Sequence, residues 1–272
     1  MKEELQNYQN KSMLCEKSLA KQGLVTHQVP QDSSRLIRSY GRIKSRRLSD
    51  HKNFLLENLL ANYEIYDEHF SLKNLSIENS SLKDAPANPR AFDGKFTKIS
   101  FEIGFGFGDF LFAKAQSIPN QIFLGCEPHL NGVVNVLAKL EEAPLSNVKI
   151  SRQDARELLS KFDDNFFDEI YILFPDPWPK IKHFKRRLIN LEFLDNLLAK
   201  KIKSGGKLII ATDHDSYKTW ILSAVSKSRQ FKWEANCKHD WQTFPNDWIT
   251  TKYQKKAALE GRVSVIFNLT NA

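Results

Sequence analysis

From Lys98 onward the chain alternates short apolar runs with amphipathic ones, and that alternation leaves few architectures open. KISFEI (98–103), IFLGCE (122–127), VKIS (148–151), DEIYILF (168–174), KLIIAT (207–212), FKWEA (231–235) and RVSVIFNL (262–269) read as strands. Residues 109–117, 131–142, 155–161, 188–201 and 216–227 read as helices between them. A Gly205-Gly206 turn is expected to lead into the strand that starts at Lys207. Apolar strands separated by helices of this length predict a parallel sheet covered on both faces. The expected class is α/β, with a doubly wound, mostly parallel seven-stranded sheet.

The first of these strands ends in EIGFGFG, which supplies Glu102, Gly104, Gly106 and Gly108. Glycines here let the backbone turn sharply and approach a ligand just before a helix begins. A dinucleotide fingerprint would be G-x-G-x-x-G, but its third glycine falls on Asp109. An acid there suits a pyrophosphate poorly. Glu102 and Asp109 suit a ligand with a sulfonium and an α-amino group, which is S-adenosylmethionine. Glu127 ends the second strand, where a carboxylate can hold both ribose hydroxyls. Asp154-Ala155 follows the third, placing an acceptor for the adenine amino group. Each feature has a plainer reading as a turn or a helix cap. Together they stand at successive strand ends, where ligands of such sheets bind. Phe105 and Phe107, between the glycines, fit a cofactor wall or simple packing equally well.

The fourth strand runs into FPDPWPKIKHFKRR, from Phe174 to Arg187. Pro175, Pro177 and Pro179 forbid an ordinary helix and stiffen a loop that presents Asp176 and Trp178. Cations follow at once at Lys180, Lys182, Lys185, Arg186 and Arg187, with His183 and Phe184 among them. A rigid acid and indole beside a phosphate-seeking patch point to chemistry on a nucleotide held by its backbone. Trp178 fits either a stacking platform or a loop anchor. Arg186 and Arg187 fit phosphate contacts, helix caps or partners for acids.

The formal net charge of +8 favours an anionic partner. No apolar run approaches the roughly 18 residues that would span a bilayer, and MKEELQNYQNKSML has no secretory core. Cys15, Cys126 and Cys237 form no pair motif and read as free thiols of a reducing, cytoplasmic compartment. The histidines show no metal-ligand spacing, and His214 between two aspartates reads as a loop. Residues 1–34 are polar and expected to be a disordered tail. Residues 35–94 read as a basic arm, a helix and a Ser/Asn/Pro-rich linker. In that helix Ser49 or Asp50 would be the cap and Phe54, Leu55, Leu59 and Leu60 the apolar face. The remaining domain spans 95–272. The arm at 35–47 fits an RNA contact or a solvated tail.

EIGFGFG, GCEPH, RQDA, FPDPWPKIKHFKRR, ATDH and TTKYQ resemble, in order, the blocks of the bacterial tRNA (guanine-N7-)-methyltransferase family. The resemblance runs from about Arg38 to the last strand. It implies a Rossmann-like domain that moves a methyl group from S-adenosylmethionine to N7 of a guanosine in the variable loop of tRNA. S-adenosylhomocysteine would be the product and no metal would be needed. Glu102, Gly104, Gly106, Gly108, Glu127, Asp154, Ala155 and Asp176 correspond to cofactor-binding positions, and Asp176 also to the catalytic one. Lys180, Asp213, Thr251, Lys252, Tyr253 and Gln254 correspond to substrate contacts, and Lys182, His183, Phe184, Lys185, Arg186 and Arg187 to tRNA contacts. Gln254 stands where the family usually has glutamate, and Pro179 where many members have histidine. The other readings the sequence leaves open are a methyltransferase of the same fold acting on another RNA, and a non-catalytic RNA-binding protein. Monomer and homodimer both fit.

Overall fold

The computed structural model describes residues 47–65 and 96–272. The expected tail over 1–34, nearly all of the basic arm and the linker over 71–94 lie outside the described residues. The strands are β1 (Lys98–Ile103), β2 (Gln121–Cys126), β3 (Val148–Ser151), β4 (Phe167–Leu173), β5 (Ile202–Thr212), β6 (Phe231–Trp233) and β7 (Val265–Asn271). They form one seven-stranded sheet in the order β3-β2-β1-β4-β5-β7-β6. The pairs among β1 to β5 are parallel. β7 runs antiparallel to both of its neighbours, β5 and β6.

Both faces of the sheet are covered. On one face Phe101, Ile170, Ile172, Leu208 and Ile210 pack with Leu158, Phe166, Leu194, Tyr217 and Ile221. On the other Phe123, Val148 and Ile150 pack with Leu111, Val133, Leu137 and Leu140. The N-terminal helix Asp50–Asn58 joins this second layer, capped by the Ser49 side chain, which accepts from the Lys52 N–H. Leu55 and Leu60 are buried there, but Phe54 is 54% exposed. Phe54 stands about 100° round the helix from Leu55 and so leaves the apolar stripe.

The glycine pair at 205–206 makes no turn ahead of a separate strand. Ile202 pairs with Phe167 and Lys207 with Glu169, so β5 loops outward between these two registers and resumes. Gly205 takes φ +74° in that excursion, and a Cβ at Gly206 would stand 2.9 Å from the Asp168 carbonyl oxygen. The helix expected over 188–201 is π-helical over Phe193–Leu198 before its last α-helical residues. Two further helices, Lys238–Gln242 and Lys252–Leu259, lie between β6 and β7.

β1 is the turning point of the sheet. The chain moves outward through β2 and β3, then returns to place β4 on the other side of β1. The carboxyl ends of β1 and β4 therefore flank the crevice where doubly wound sheets bind ligands.

Candidate active site

Glu102 lies at that crevice, one residue from the end of β1. It is 3% exposed. The Leu111 N–H donates to its carboxylate, but the buried Oε2 has no hydrogen-bond partner among the described residues. Burial, then the neighbouring Glu127 charge, then Asp109 push its pKa up to about 8. A buried carboxyl with an unused oxygen, among other acids, suits a cationic ligand. The α-amino group of S-adenosylmethionine fits this requirement.

Glu127 follows β2 directly. Its Oε2 accepts from the Gly106 N–H at 2.9 Å and its Oε1 from the His129 N–H at 2.8 Å. One carboxylate thus clamps the glycine-rich turn to the start of the helix Leu130–Glu142. Each oxygen keeps a second acceptor site, enough for two ribose hydroxyls. Desolvation raises the Glu127 pKa against these hydrogen bonds, and the Asp176 charge raises it further.

Gly108 caps the helix Asp109–Ser117 from the left-handed region, at φ +71°. A Cβ there would stand 2.0 Å from Val136 Cγ2. Gly108→Ala combines a strained φ with overpacking, and we expect it to cost about 2–4 kcal/mol of stability. Urea unfolding of the variant beside the wild type measures this.

Asp154 turns out to be a helix cap. It accepts from the Arg156 backbone N–H at 2.9 Å and forms a fork with the Arg156 guanidinium at 2.9 Å through each oxygen. Desolvation works to raise its pKa, but these bonds and the guanidinium charge outweigh it and hold the carboxyl below its ordinary value. Ala155 is buried behind it.

Asp176 stands between two left-handed residues, Phe174 at φ 53° and Trp178 at φ 41°. Such backbone is uncommon outside glycine and costs roughly 1–3 kcal/mol per residue. The Phe174 N–H donates to the Ala211 carbonyl at 2.8 Å and so ties the start of the loop to β5. Asp176 itself is solvent-exposed at the loop crest, yet partial desolvation raises its carboxyl pKa. The Arg186 guanidinium lies 4.9 Å from the Trp178 ring centroid, and His183 meets the same ring edge-on at 5.7 Å.

The cationic run divides in two. Ile181–Arg186 is a 3-10 helix capped by Lys180. Lys180, Lys182 and Lys185 are exposed. Desolvation and the nearby Arg186, Lys182 and Lys180 charges hold the His183 pKa below its ordinary value. Arg187 does not belong to this surface. It is 3% exposed, and its guanidinium donates to the Pro177 and Ser216 carbonyls and the Ser216 hydroxyl. The expectation that Arg187 grips phosphate is corrected by that burial. Phe184 is half-buried and packs edge-on against Trp220 at 5.5 Å, beneath the Arg187 guanidinium.

The block Thr251–Gln254 lies across the same crevice. Thr251 is buried and caps the helix Lys252–Leu259, its hydroxyl accepting from the Gln254 N–H at 3.2 Å. Lys252 Nζ sits 4.1 Å from the Phe107 ring centroid, and the Tyr253 ring lies 6.4 Å from that of Phe107. Desolvation raises the Tyr253 hydroxyl pKa, and the Glu127, Asp176 and Asp109 charges add to it. One cleft is lined together by Glu102, Gly104, Phe107, Asp109 and Leu173 and by Thr251, Lys252 and Tyr253. Phe105 and Phe107 both line this cleft, and Phe105 is otherwise buried in the core. Asp213 pairs with Arg262 at 2.6 Å, which fixes the chain just after the helix Lys252–Leu259. Gln254 is held to Trp248, whose indole N–H donates to Oε1 at 2.8 Å.

Sequence reading missed Trp248, Asp247, Lys114 and Gly132. Trp248 packs against Phe110 at 5.2 Å, directly behind the cleft. Asp247 forms an ion pair with the buried Lys114, tying the segment before Thr251 to the helix Asp109–Ser117. Gly132 admits the glycine-rich turn, since a Cβ there would stand 2.3 Å from the Gly106 carbonyl oxygen. A lone glycine in an otherwise apolar helix was the available signal for Gly132. Among the described residues, no group of three or more His, Cys, Asp or Glu side chains could hold a metal ion, and no helix is long and apolar enough to cross a membrane.

Residues 97–266 match a family model described as a methyltransferase. The tRNA (guanine-N(7)-)-methyltransferase of Zymomonas mobilis is 35% identical over 224 residues, 82% of this chain and 90% of the relative. The protein of the same name from Wolbachia pipientis wMel is 39% identical over 199 residues, 71% and 86% of the two chains. That from Sphingopyxis alaskensis is 35% identical over 243 residues, 87% and 95%.

Proposed function

The chain belongs to the tRNA (guanine-N7-)-methyltransferase family, and from that premise we propose that it methylates N7 of a guanosine in the variable loop of tRNA. S-adenosylmethionine is the methyl donor and S-adenosylhomocysteine the product. The observation that carries this reading is the shared cleft, which Glu102 and Gly104 line together with Thr251, Lys252 and Tyr253. Cofactor-binding acids and a substrate block on one cleft are what a group transfer requires. With tRNA as substrate, the enzyme works in the cytoplasm.

Glu102 takes the α-amino group, Glu127 the ribose hydroxyls, and the turn Gly104–Gly108 the close approach of the cofactor. Asp154 serves the adenine end through its remaining acceptor sites, with its orientation fixed by Arg156. The sulfonium of the cofactor supplies an electrophilic methyl group. Guanine N7 carries a lone pair and no proton, so no side chain need act as general base. The work left to the protein is alignment, worth several kcal/mol, and stabilisation of the cation that forms on the purine. Asp176, on its stiff loop, is the carboxylate placed for the second task. It also accepts from the N1 and N2 hydrogens of the guanine. Tyr253 and Lys252, in the same cleft as Glu102, bound the space left for the base.

The test is incubation with tRNA lacking the modification and with methyl-labelled cofactor, followed by mapping through the chemical lability of N7-methylguanosine. Label at one guanosine of the variable loop is expected. Label confined to other nucleotides, or no transfer despite cofactor binding, would overturn the assignment.

The exposed cations Lys182 and Lys185 carry the phosphate contacts. Lys182→Ala and Lys185→Ala should each weaken binding to all tRNAs and flatten the slope of log affinity against log salt by about one unit. Titrations at several salt concentrations measure this.

A further inference from the structure

The loop that carries Asp176 is pinned from below by one buried cation. Arg187 Nε donates to the Pro177 carbonyl at 2.9 Å, one residue beyond Asp176. Its Nη1 and Nη2 reach the Ser216 carbonyl at 3.2 Å and the Ser216 hydroxyl at 2.9 Å, at the start of the helix that follows β5. The guanidinium carbon lies 3.8 Å from the Phe184 ring centroid and 5.0 Å from that of Tyr217. Tyr217 is itself fixed, since its hydroxyl accepts from the Ile189 N–H at 3.2 Å. The guanidinium therefore sits among rigid groups and holds the loop's backbone to the first turn of the helix Asp215–Lys227.

That hold acts against strain. Phe174 and Trp178 both occupy the left-handed region, on either side of Asp176. The first end of the loop is tied by the bond from the Phe174 N–H to Ala211. Arg187 ties the second end. With Arg187 released, Trp178 is free to relax toward its ordinary backbone region and carry Asp176 with it.

We propose that Arg187 is a positioning residue that sets the place of Asp176 for methyl transfer, and is not a tRNA contact. The proposal rests on the reading of Asp176 given above. Lysine keeps the charge but loses the planar fork that reaches Pro177 and Ser216 together. A phosphate contact would survive that exchange in large part, and a positioning role would not.

The experiment compares Arg187→Lys, Ser216→Ala, Asp176→Asn and the double variant Arg187→Lys/Asp176→Asn in full-length protein. Single-turnover methyl transfer, tRNA affinity across salt concentrations and melting temperature are read for each. Arg187→Lys is expected to slow transfer by about 10- to 100-fold, as small misplacements of reacting groups do, with tRNA affinity and its salt slope unchanged. Ser216→Ala removes one acceptor at an exposed residue without disturbing the core. It is expected to slow transfer by about 2- to 10-fold at an unchanged melting temperature, which keeps the proposal testable if Arg187→Lys does not fold. The double variant should be no slower than Asp176→Asn alone. Normal transfer by Arg187→Lys, weaker tRNA binding with a flatter salt slope, or additive losses in the double variant would overturn the positioning role alone. Normal transfer by Asp176→Asn would overturn the catalytic reading, and the positioning role with it.

Discussion

Asp176→Asn is expected to slow single-turnover methyl transfer by about 10²- to 10³-fold, the range found when one preorganised electrostatic group is lost from an active site. The substitution keeps size, removes the charge and replaces one acceptor oxygen with an amide donor. The loop should hold its shape, because proline rings and the ties to Ala211 and Arg187 fix its backbone. Affinity for tRNA should change little, since the phosphate-facing lysines are untouched. The pH profile offers an independent reading. Desolvation raises the Asp176 pKa, so wild-type transfer should fall as acid protonates it, at a pH above the ordinary aspartate range. The asparagine variant should lose that acid limb. Transfer at the wild-type rate, with the limb intact, would remove Asp176 from the chemistry.

The second large effect concerns Glu102. Its folded-state pKa, about 8, lies above the value of an unfolded glutamate. The folded chain therefore binds a proton that the unfolded chain has already lost near neutral pH. The stability this contributes is complete below the unfolded pKa and is lost as pH rises through about 8. The cofactor-free wild type should accordingly melt at lower temperature at pH 9 than at pH 6. Glu102→Gln imitates the protonated acid and should show a smaller decline, with a melting temperature at neutral pH equal to or above that of the wild type. The same variant should bind S-adenosylmethionine about 100-fold more weakly, because a buried ammonium would lose its carboxylate. Wild-type binding below pH 8 should release a proton, visible by calorimetry as a heat that depends on the buffer. A variant that binds cofactor normally, or a wild-type melting temperature that ignores pH over this range, would show that Glu102 does not receive the cation.

Much of the fold was legible because its signals are local. VKIS matches β3 residue for residue, and the helix at 109–117 begins and ends where read. Strands buried on both sides carry continuous apolar runs that polar turns interrupt clearly. The excursion in β5 was not legible, because two adjacent glycines read as a turn whether or not the flanking segments share a partner strand. The placement of Glu102, Glu127 and Asp176 at neighbouring strand ends was legible, since strand ends in such a sheet share one edge. The local role of Asp154 as a cap was visible as an alternative, and the partner Arg156 was only two residues away. Arg187 was misread because a run of cations suggests a common surface, whereas the turn of the 3-10 helix and the following extended residue carry its last member inward. The Trp248–Gln254 bond joins side chains whose spacing follows no recognised motif, so composition gave no hint of it.

The sheet order also has a consequence for assembly. β6 pairs with β7, which is made later, and β7 must enter between β5 and β6. Until it does, the free rim of β5 offers unpaired backbone groups to any other chain. The Gly-rich turn and the acids at or just beyond the ends of β1, β2 and β4 can be in place by then, while the segment from Lys238 to Gly261 still awaits its second anchor. A nascent chain at this stage would hold Glu102 and the glycine-rich turn but not yet Thr251, Lys252 and Tyr253, which line the same cleft. Quality control acting on that intermediate would need to shield one strand rim, and release would coincide with completion of the cleft.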